Sequence, residues 1–267
     1  MLISANATGD FGQWDASDYL REYYSRVEAD EQLTLEFLIQ ECRKLPRGGT
    51  AIDFGSGPTV HNLIALSPYV EHVDIADFVP QNLAQIRAWL NHEPGAHDWQ
   101  SFTRHVLACE GFAGASVETR ESLLRGRIEN LLRCDASRPS PIEGGCRRYN
   151  VVLTCYCADS ATCDKSTWHM YLQNILSLLK TGGTLLLAAL RKCRGYSVGS
   201  CYFPSANIDE SDVRDMFEHG GIEMERARIA VGSVLAREGR GYDSIILASG
   251  QTSQIKCSAS AQNKLLH

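Results

Sequence analysis

The chain has 267 residues, 44% hydrophobic and 22% charged, with a net charge of −6 and a pI near 5.8. That balance suits an ordinary buried core and argues against a phosphate-gripping nucleic-acid binder, since no basic run exceeds Arg147-Arg148. No segment approaches the ~20 apolar residues of a membrane span, and the Met1–Asn6 start lacks the basic and apolar parts of a secretion signal, so a cytoplasmic protein is expected.

Residues 1–12 read as loose. Leu35, Leu38, Ile39 and Cys42 recur at i, i+3, i+4, i+7 and predict a helix over 30–42. Pro46-Arg-Gly-Gly49 ends it. Residues 50–54 are a short apolar run before Gly-Ser-Gly-Pro, so they read as a buried strand entering a tight turn. Val60, Leu63 and Ile64 begin a helix that stops at Ser67-Pro68. Residues 70–75 predict a second strand that finishes at Asp77, and Pro80 opens a helix with a stripe of Leu83, Ile86 and Leu90.

Residues 91–127 predict a long, partly helical connection, and 128–134 a third strand ending at Asp135. Residues 149–154 predict a fourth strand. Ten cysteines are present, but Cys155-Tyr-Cys157 with Cys163 lacks the paired spacing of a zinc site. No metal is expected; the cysteines read as reduced, small apolar residues. Leu172, Ile175, Leu176 and Leu179 predict a helix stopped by Thr181-Gly-Gly183, followed by an apolar fifth strand over 184–190. Asp209 caps a helix carrying Val213, Met216 and Phe217, closed by Gly220-Gly221. Two late strands are predicted near 222–230 and 242–248. The tail over 251–267 is polar, low in complexity and expected to be disordered.

Strands alternating with amphipathic helices predict an α/β fold, a mostly parallel sheet covered on both faces. Two final strands with no helix between them predict an antiparallel hairpin at one edge. One domain over 1–250, with a helical cap at about 13–46, is the expected organisation.

Ligands of open α/β sheets sit beyond the carboxyl ends of the strands, where strand order reverses. Four predicted strand ends carry suitable groups: Asp53 with Gly55-Ser56-Gly57, then Asp77, Asp135 and Thr154. The glycines let a ligand approach the backbone, Asp77 can take both ribose hydroxyls, and Asp135 can accept an adenine amine. A nicotinamide or flavin fingerprint needs a third glycine, which Gly55-Ser-Gly57-Pro-Thr-Val-His lacks. Asp53 would repel a pyrophosphate but suits the ammonium of S-adenosylmethionine. Asp77 or Asp135 alone is more often a cap or turn residue than a ligand; the four strand ends together point to that cofactor.

Several words of the sequence resemble the nicotinamide / phenylethanolamine / indolethylamine N-methyltransferase family. They are Ile52–Val60, Asp77–Leu83, Trp89–Trp99 with its Glu-Pro…Asp-Trp, Leu131–Asp135, the tyrosine-bearing Asp18–Tyr24 and Leu178–Gly183. The similarity covers about residues 14–250. It implies a Rossmann-like class I methyltransferase with a seven-stranded sheet and an N-terminal helical lid. It implies cofactor contacts at Tyr19, Tyr24, Gly55, Ser56, Gly57, Thr59, Asp77, Asn82, Asp135, Ala136 and Thr154. Tyr19, Tyr23 and Tyr24 would close over both ligands, and Tyr19, Tyr23 and Asp159 are the catalytic candidates. Tyr23, Tyr156, Ala189 and Tyr196 would face the acceptor, with Tyr202 and Phe203 as further lining candidates. The family often places a carboxylate after strand five, and Leu187-Ala-Ala-Leu-Arg191 offers none.

The expectation is a monomer that uses S-adenosylmethionine to methylate a nitrogen of a small amine, guanidine or aza-aromatic acceptor, without nucleic acid or membrane as partner. Transfer to carbon, oxygen or sulfur, cofactor binding without turnover, and a nicotinamide-dependent dehydrogenase are the alternatives.

Overall fold

A computed structural model describes residues 11–145, 147–234 and 240–253. The first half of the chain forms α1 (Ala16–Tyr23), α2 (Ala29–Cys42), β1 (Thr50–Phe54), α3 (His61–Leu66), β2 (His72–Asp77), α4 (Pro80–Leu90), α5 (Gln100–Glu110), α6 (Val117–Arg127) and β3 (Ile128–Arg133). The second half forms β4 (Tyr149–Cys155), α7 (Lys165–Leu176), β5 (Leu179–Leu190), β6 (Gly195–Val198), β7 (Cys201–Pro204), α8 (Glu210–His219), β8 (Arg228–Ser233) and β9 (Ser244–Gln251).

Local chemistry sets many of these boundaries. Asp15, Ser116, Asp164 and Asp209 each accept a hydrogen bond from the first-turn amides of α1, α6, α7 and α8, a cap that stabilises a helix by about 1 kcal/mol. Asp209 and Asp212 complete a reciprocal capping box. Pro80 opens α4, where no backbone donor is needed.

Seven strands form one sheet in the order β3-β2-β1-β4-β5-β9-β8. The pairs among β1 to β5 are parallel, whereas β9 runs antiparallel to β5 and β8. The predicted edge hairpin is therefore present, and the order reverses between β1 and β4. Pleating divides the core in two. Val151, Leu153, Leu186, Ala188 and Leu190 face the layer holding α2, α3 and α5. Val152, Leu185, Leu187 and Ala189 face the layer holding α7 and α8.

Four expectations change. Leu179 begins β5 instead of ending a helix, and Thr181-Gly-Gly183 lies within that strand. A register shift opposite Tyr149–Val151 and a φ of +72° at Gly182 accommodate the extra residues. A short apolar run cannot be assigned to helix or strand by periodicity alone. The strand expected from 222 starts at Arg228; Met224–Arg226 is a 3₁₀ turn, and Ile222 makes one isolated bridge to Thr252. The hairpin β6–β7 was not foreseen, because four-residue strands are too short for alternation to register. The expected tail is partly strand, since β9 reaches Gln251. The loose segment over 1–10 and the tail over 254–267 lie outside the described residues. Among the described residues, no helix is long and apolar enough to cross a membrane.

Candidate active site

β1 delivers Asp53 and Phe54 to the carboxyl edge of the sheet, and the chain then turns through Gly55-Ser56-Gly57. Both glycines have left-handed backbones, with φ of +72° and +62°, where a Cβ is strained. A Cβ on Gly55 would also collide with the side chain of Cys157 on the neighbouring β4 tip. Asp77, at the tip of β2, holds this turn. Its Oδ2 accepts from the Gly57 amide at 2.8 Å, while Oδ1 accepts from the Val79 amide at 2.8 Å and from Asn82 Nδ2 at 2.9 Å. Asn82 Oδ1 in turn accepts from Trp14 Nε1 at 2.8 Å. One carboxylate thus ties β1, β2 and α4 to the segment that leads into α1.

These groups surround a crevice of about 300 Å³. Tyr19, Tyr24, Gly55, Ser56, Gly57, Thr59, Asp77, Asn82, Asp135 and Ala136 all line it, as do Tyr156 and Tyr196. Asp53 also faces it and has no hydrogen-bond partner among the described residues. Burial, with the charge of Asp77 beside it, pushes the Asp53 carboxyl up to about 8. Burial also raises Asp77, against the three hydrogen bonds it receives. Asp135 lies nearer solvent. Burial opposes its ionisation, but hydrogen bonds from Ser137 and Arg138 outweigh it and hold the carboxyl below its ordinary value. The crevice therefore combines one loaded, solvent-facing carboxylate with two buried ones.

A smaller pocket of about 40 Å³ adjoins the crevice. Tyr19, Tyr24, Tyr156, Ser160 and Tyr196 belong to both walls. Tyr23 and Tyr242 add rings, Leu190 adds an apolar patch, and Asp30 and Glu31 add carboxylates from the first turn of α2. The rings are fixed by their own bonds. Tyr23 donates to Ser197 O at 2.8 Å and lies 4.3 Å beneath the Arg240 guanidinium. Tyr156 shares a 2.6 Å hydrogen bond with Thr34 Oγ1, and Tyr19 and Tyr24 share one of 3.4 Å. Burial raises the hydroxyls of Tyr19, Tyr24, Tyr156, Tyr196 and Tyr242, and takes Tyr23 to about 12 against the nearby Arg240. They are neutral phenols at ordinary pH, fit to wall a pocket and donate hydrogen bonds and unfit to act as bases.

Five sequence candidates stand apart from both cavities, namely Thr154, Ala189, Asp159, Tyr202 and Phe203. Thr154 is buried within β4, and its neighbours Cys155, Tyr156 and Cys157 form the wall instead. Ala189 points into the α7–α8 layer, while Leu190, one pleat later, reaches the small pocket. Asp159 sits in the 3₁₀ turn Ala158–Ser160, and its Oδ2 accepts from the Leu190 amide at 2.9 Å. Burial raises that carboxyl to about 7, but its work is to hold the end of β5. Tyr202 is exposed, and Phe203 packs on Phe11, Trp14 and Tyr196. Among the described residues, Glu36, His105 and Cys109 bring potential metal-ligand atoms within 4.8 Å of one another, and none of them lines either cavity.

Asp30 and Glu31 escaped the sequence reading. Acids in the first turn of a helix are ordinary partners of its dipole, and only their burial, 6% exposed each, sets these two apart.

The model of the NNMT/PNMT/TEMT family matches residues 4–241. Phenylethanolamine N-methyltransferase of Bos taurus is 32% identical over 63% of this chain, which spans 60% of that enzyme's length. Indolethylamine N-methyltransferase of Mus musculus is 30% identical over 79% of this chain and 83% of its own. Nicotinamide N-methyltransferase of Homo sapiens is 31% identical over 78% of this chain and 81% of its own. Among solved structures, an S-adenosylmethionine-dependent methyltransferase from Clostridium acetobutylicum shares the fold, with a TM-score of 0.52 and 13% identity, covering 89% of this chain and 98% of that one.

Proposed function

The chain belongs to the NNMT/PNMT/TEMT family, and from that premise we propose that it is an S-adenosylmethionine-dependent methyltransferase that methylates a nitrogen of a small molecule. The observation that carries this reading is the meeting of two cavities through shared tyrosines. One is floored by glycine backbone and strand-tip carboxylates; the other is aromatic and acid-lined.

The residues of the crevice fit the methyl donor. The Gly55–Gly57 turn gives close backbone approach. Asp77 and Asp135 offer acceptors for hydroxyl and amine groups, and Asp53 offers a carboxyl to a cationic amino group. Tyr19 and Tyr24 close the side towards α1. When bound, the donor supplies a methyl group already activated on a sulfonium. The protein needs chiefly to align the acceptor with it, and such positioning lowers a barrier by up to ~7–11 kcal/mol. Tyr19, Tyr23, Tyr24, Tyr156 and Tyr196 orient the acceptor and exclude water, and their ring faces favour the positive charge that arrives on nitrogen, at ~0.5–2 kcal/mol for each well-placed ring. Tyr19 and Tyr23 act in this scheme as walls and donors.

The same reading takes residues 1–250 as one domain with a cap over 13–46, working as a cytoplasmic monomer on small molecules, without nucleic acid as a partner. Incubation with methyl-labelled donor and a panel of amines and aza-aromatics tests it. Label on nitrogen is the expected result; label confined to carbon, oxygen or sulfur acceptors rejects the assignment.

A further inference from the structure

The small pocket holds two carboxylates that differ in one respect. Asp30 is fully engaged: its Oδ2 accepts from Arg240 Nη1 at 3.0 Å and from Tyr242 at 2.6 Å, and its Oδ1 accepts from the Glu31 amide at 3.1 Å. Its charge is met by that of Arg240. Glu31 spends only Oε2, which lies 2.8 Å from His61 Nε2. Its Oε1 has no hydrogen-bond partner among the described residues, although Glu31 is 6% exposed and lines the pocket.

The state of His61 follows from its surroundings. Its ring is buried, stacked on Trp99 at 5.3 Å, and its Nδ1 has no partner. A bare Nδ1 leaves one weak acceptor unmet, whereas an imidazolium would leave a charged N–H donor unmet, which costs far more. The hydrogen-bond network thus assigns Nε2 as the donor to Glu31. His61 orients Glu31 through that bond. With Asp30 engaged by Arg240 and Tyr242, Glu31 Oε1 is left as an unengaged carboxyl oxygen within a wall of neutral phenols, with no hydrogen-bond partner among the described residues.

We propose that Glu31, held by His61, is the carboxylate that receives the acceptor's cationic nitrogen, and that the acceptor is a compact, non-anionic amine or aza-aromatic. This rests on the methyltransferase reading above and names its acceptor subsite. In the transfer the acceptor's lone pair forms the new N–C bond, the donor's C–S bond breaks, and its electron pair stays on sulfur. One positive charge therefore moves onto nitrogen, and Glu31 stabilises it more after transfer than before. An acceptor that arrives protonated first gives its proton to solvent. Size is set by the pocket: about 40 Å³ corresponds to roughly three water-sized positions, room for a nitrogen and its nearest substituents. α2 thereby supplies the carboxylate that Leu187-Ala-Ala-Leu-Arg191 lacks.

The test uses the full chain loaded with S-adenosylhomocysteine, titrated calorimetrically with N-methylpyridinium and with its neutral isostere toluene. The wild type should prefer the cation by at least about tenfold, the scale of a desolvated charge pair, and Glu31→Gln should erase that preference while leaving S-adenosylhomocysteine affinity and melting temperature within error. His61→Gln, which can still donate to Glu31, should keep most of the preference, and His61→Leu should lose it. In turnover of pyridine and short alkylamines, Glu31→Gln should lower kcat/KM by a similar factor. An unchanged preference in Glu31→Gln, or a wild type that methylates amines without preferring the cation, overturns the proposal alone. A wild type that takes up no S-adenosylhomocysteine overturns the underlying reading with it, and the first titration separates the two.

Discussion

The crevice at the tips of β1, β2 and β3 is seated on a glycine-turn backbone held by Asp77, whereas the pocket beside it is made from side chains sent by α1, α2, the β4 tip, the 3₁₀ turn Ala158–Ser160, the end of β5, β6 and the segment before β9. In the crevice, positive-φ glycines and an aspartate anchored by two amides and one side-chain amide fix the shape. In the pocket, rings and carboxylates come from distant positions; Tyr242 and Asp30, joined by a hydrogen bond, are 212 residues apart. A backbone-built site tolerates few substitutions and serves one ligand. A site built from side chains can be re-cut for another acceptor while the crevice stays as it is.

The largest expected effect breaks the backbone half. Gly55→Ala must strain a φ of +72° and drive a methyl group into Cys157, so stability should fall by about 2–6 kcal/mol. Thermal melting should show the loss, with no rescue by S-adenosylhomocysteine. A variant that melts like the wild type would mean the turn is pliable.

Asp77→Asn comes next. An amide can keep the Val79 and Asn82 bonds only by turning its NH2 group towards the Gly57 amide, leaving a buried donor unmet at a cost of about 1–3 kcal/mol. S-adenosylhomocysteine affinity should fall by more than stability does, because the turn that receives the ligand is loosened. Calorimetry beside denaturant melts separates the two losses.

Asp53 sharpens the comparison through pH. Its ordinary value of 3.8 is raised by burial, with Asp77 second, to about 8 in the folded protein. The folded state keeps the proton while the unfolded chain gives it up. That contribution to stability is therefore complete below 3.8 and is lost as pH rises through about 8. Asp159, raised by burial to about 7, acts in the same sense. Melting temperatures of Asp53→Asn between pH 4 and pH 8 should decline less steeply than those of the wild type, and Asp159 should supply part of the remaining slope. An unchanged slope would place the ionised carboxylate in the ligand-free crevice.

Gly57→Ala carries the smallest effect. Its φ is +62°, but a Cβ there meets only Tyr19, at 3.8 Å, so a loss of about 1–2 kcal/mol is expected from backbone strain alone. The gap between Gly55→Ala and Gly57→Ala in one denaturant series measures how much of the turn's rigidity comes from packing against β4.

The same division explains what could be read from the sequence. Strand tips and the glycine turn are local words that point to Gly55, Ser56, Gly57, Asp77 and Asp135, whereas Thr59, Asn82 and Ala136 follow only from the family resemblance. Chain order carried the sheet as well, apart from the short β6–β7 hairpin and the start of β8. The pocket was half legible. Tyr23, Tyr156 and Tyr196 line the pocket, while Ala189 lies on the face of β5 opposite Leu190, and one residue of strand phase decides the face. Asp159 accepts from the Leu190 amide, a tertiary contact that no local pattern announces. Asp30 and Glu31 are acids in the first turn of α2, and only tertiary contacts with Arg240, Tyr242 and His61 set them apart. Thr154 is buried one residue before the wall formed by Cys155, Tyr156 and Cys157.

Calorimetric titration of S-adenosylhomocysteine into the wild type and Gly55→Ala tests the central claim most directly. The wild type should take up one molecule per chain and Gly55→Ala none. No uptake by the wild type, or equal uptake by both, would contradict a ligand seated on the glycine turn between β1 and β4.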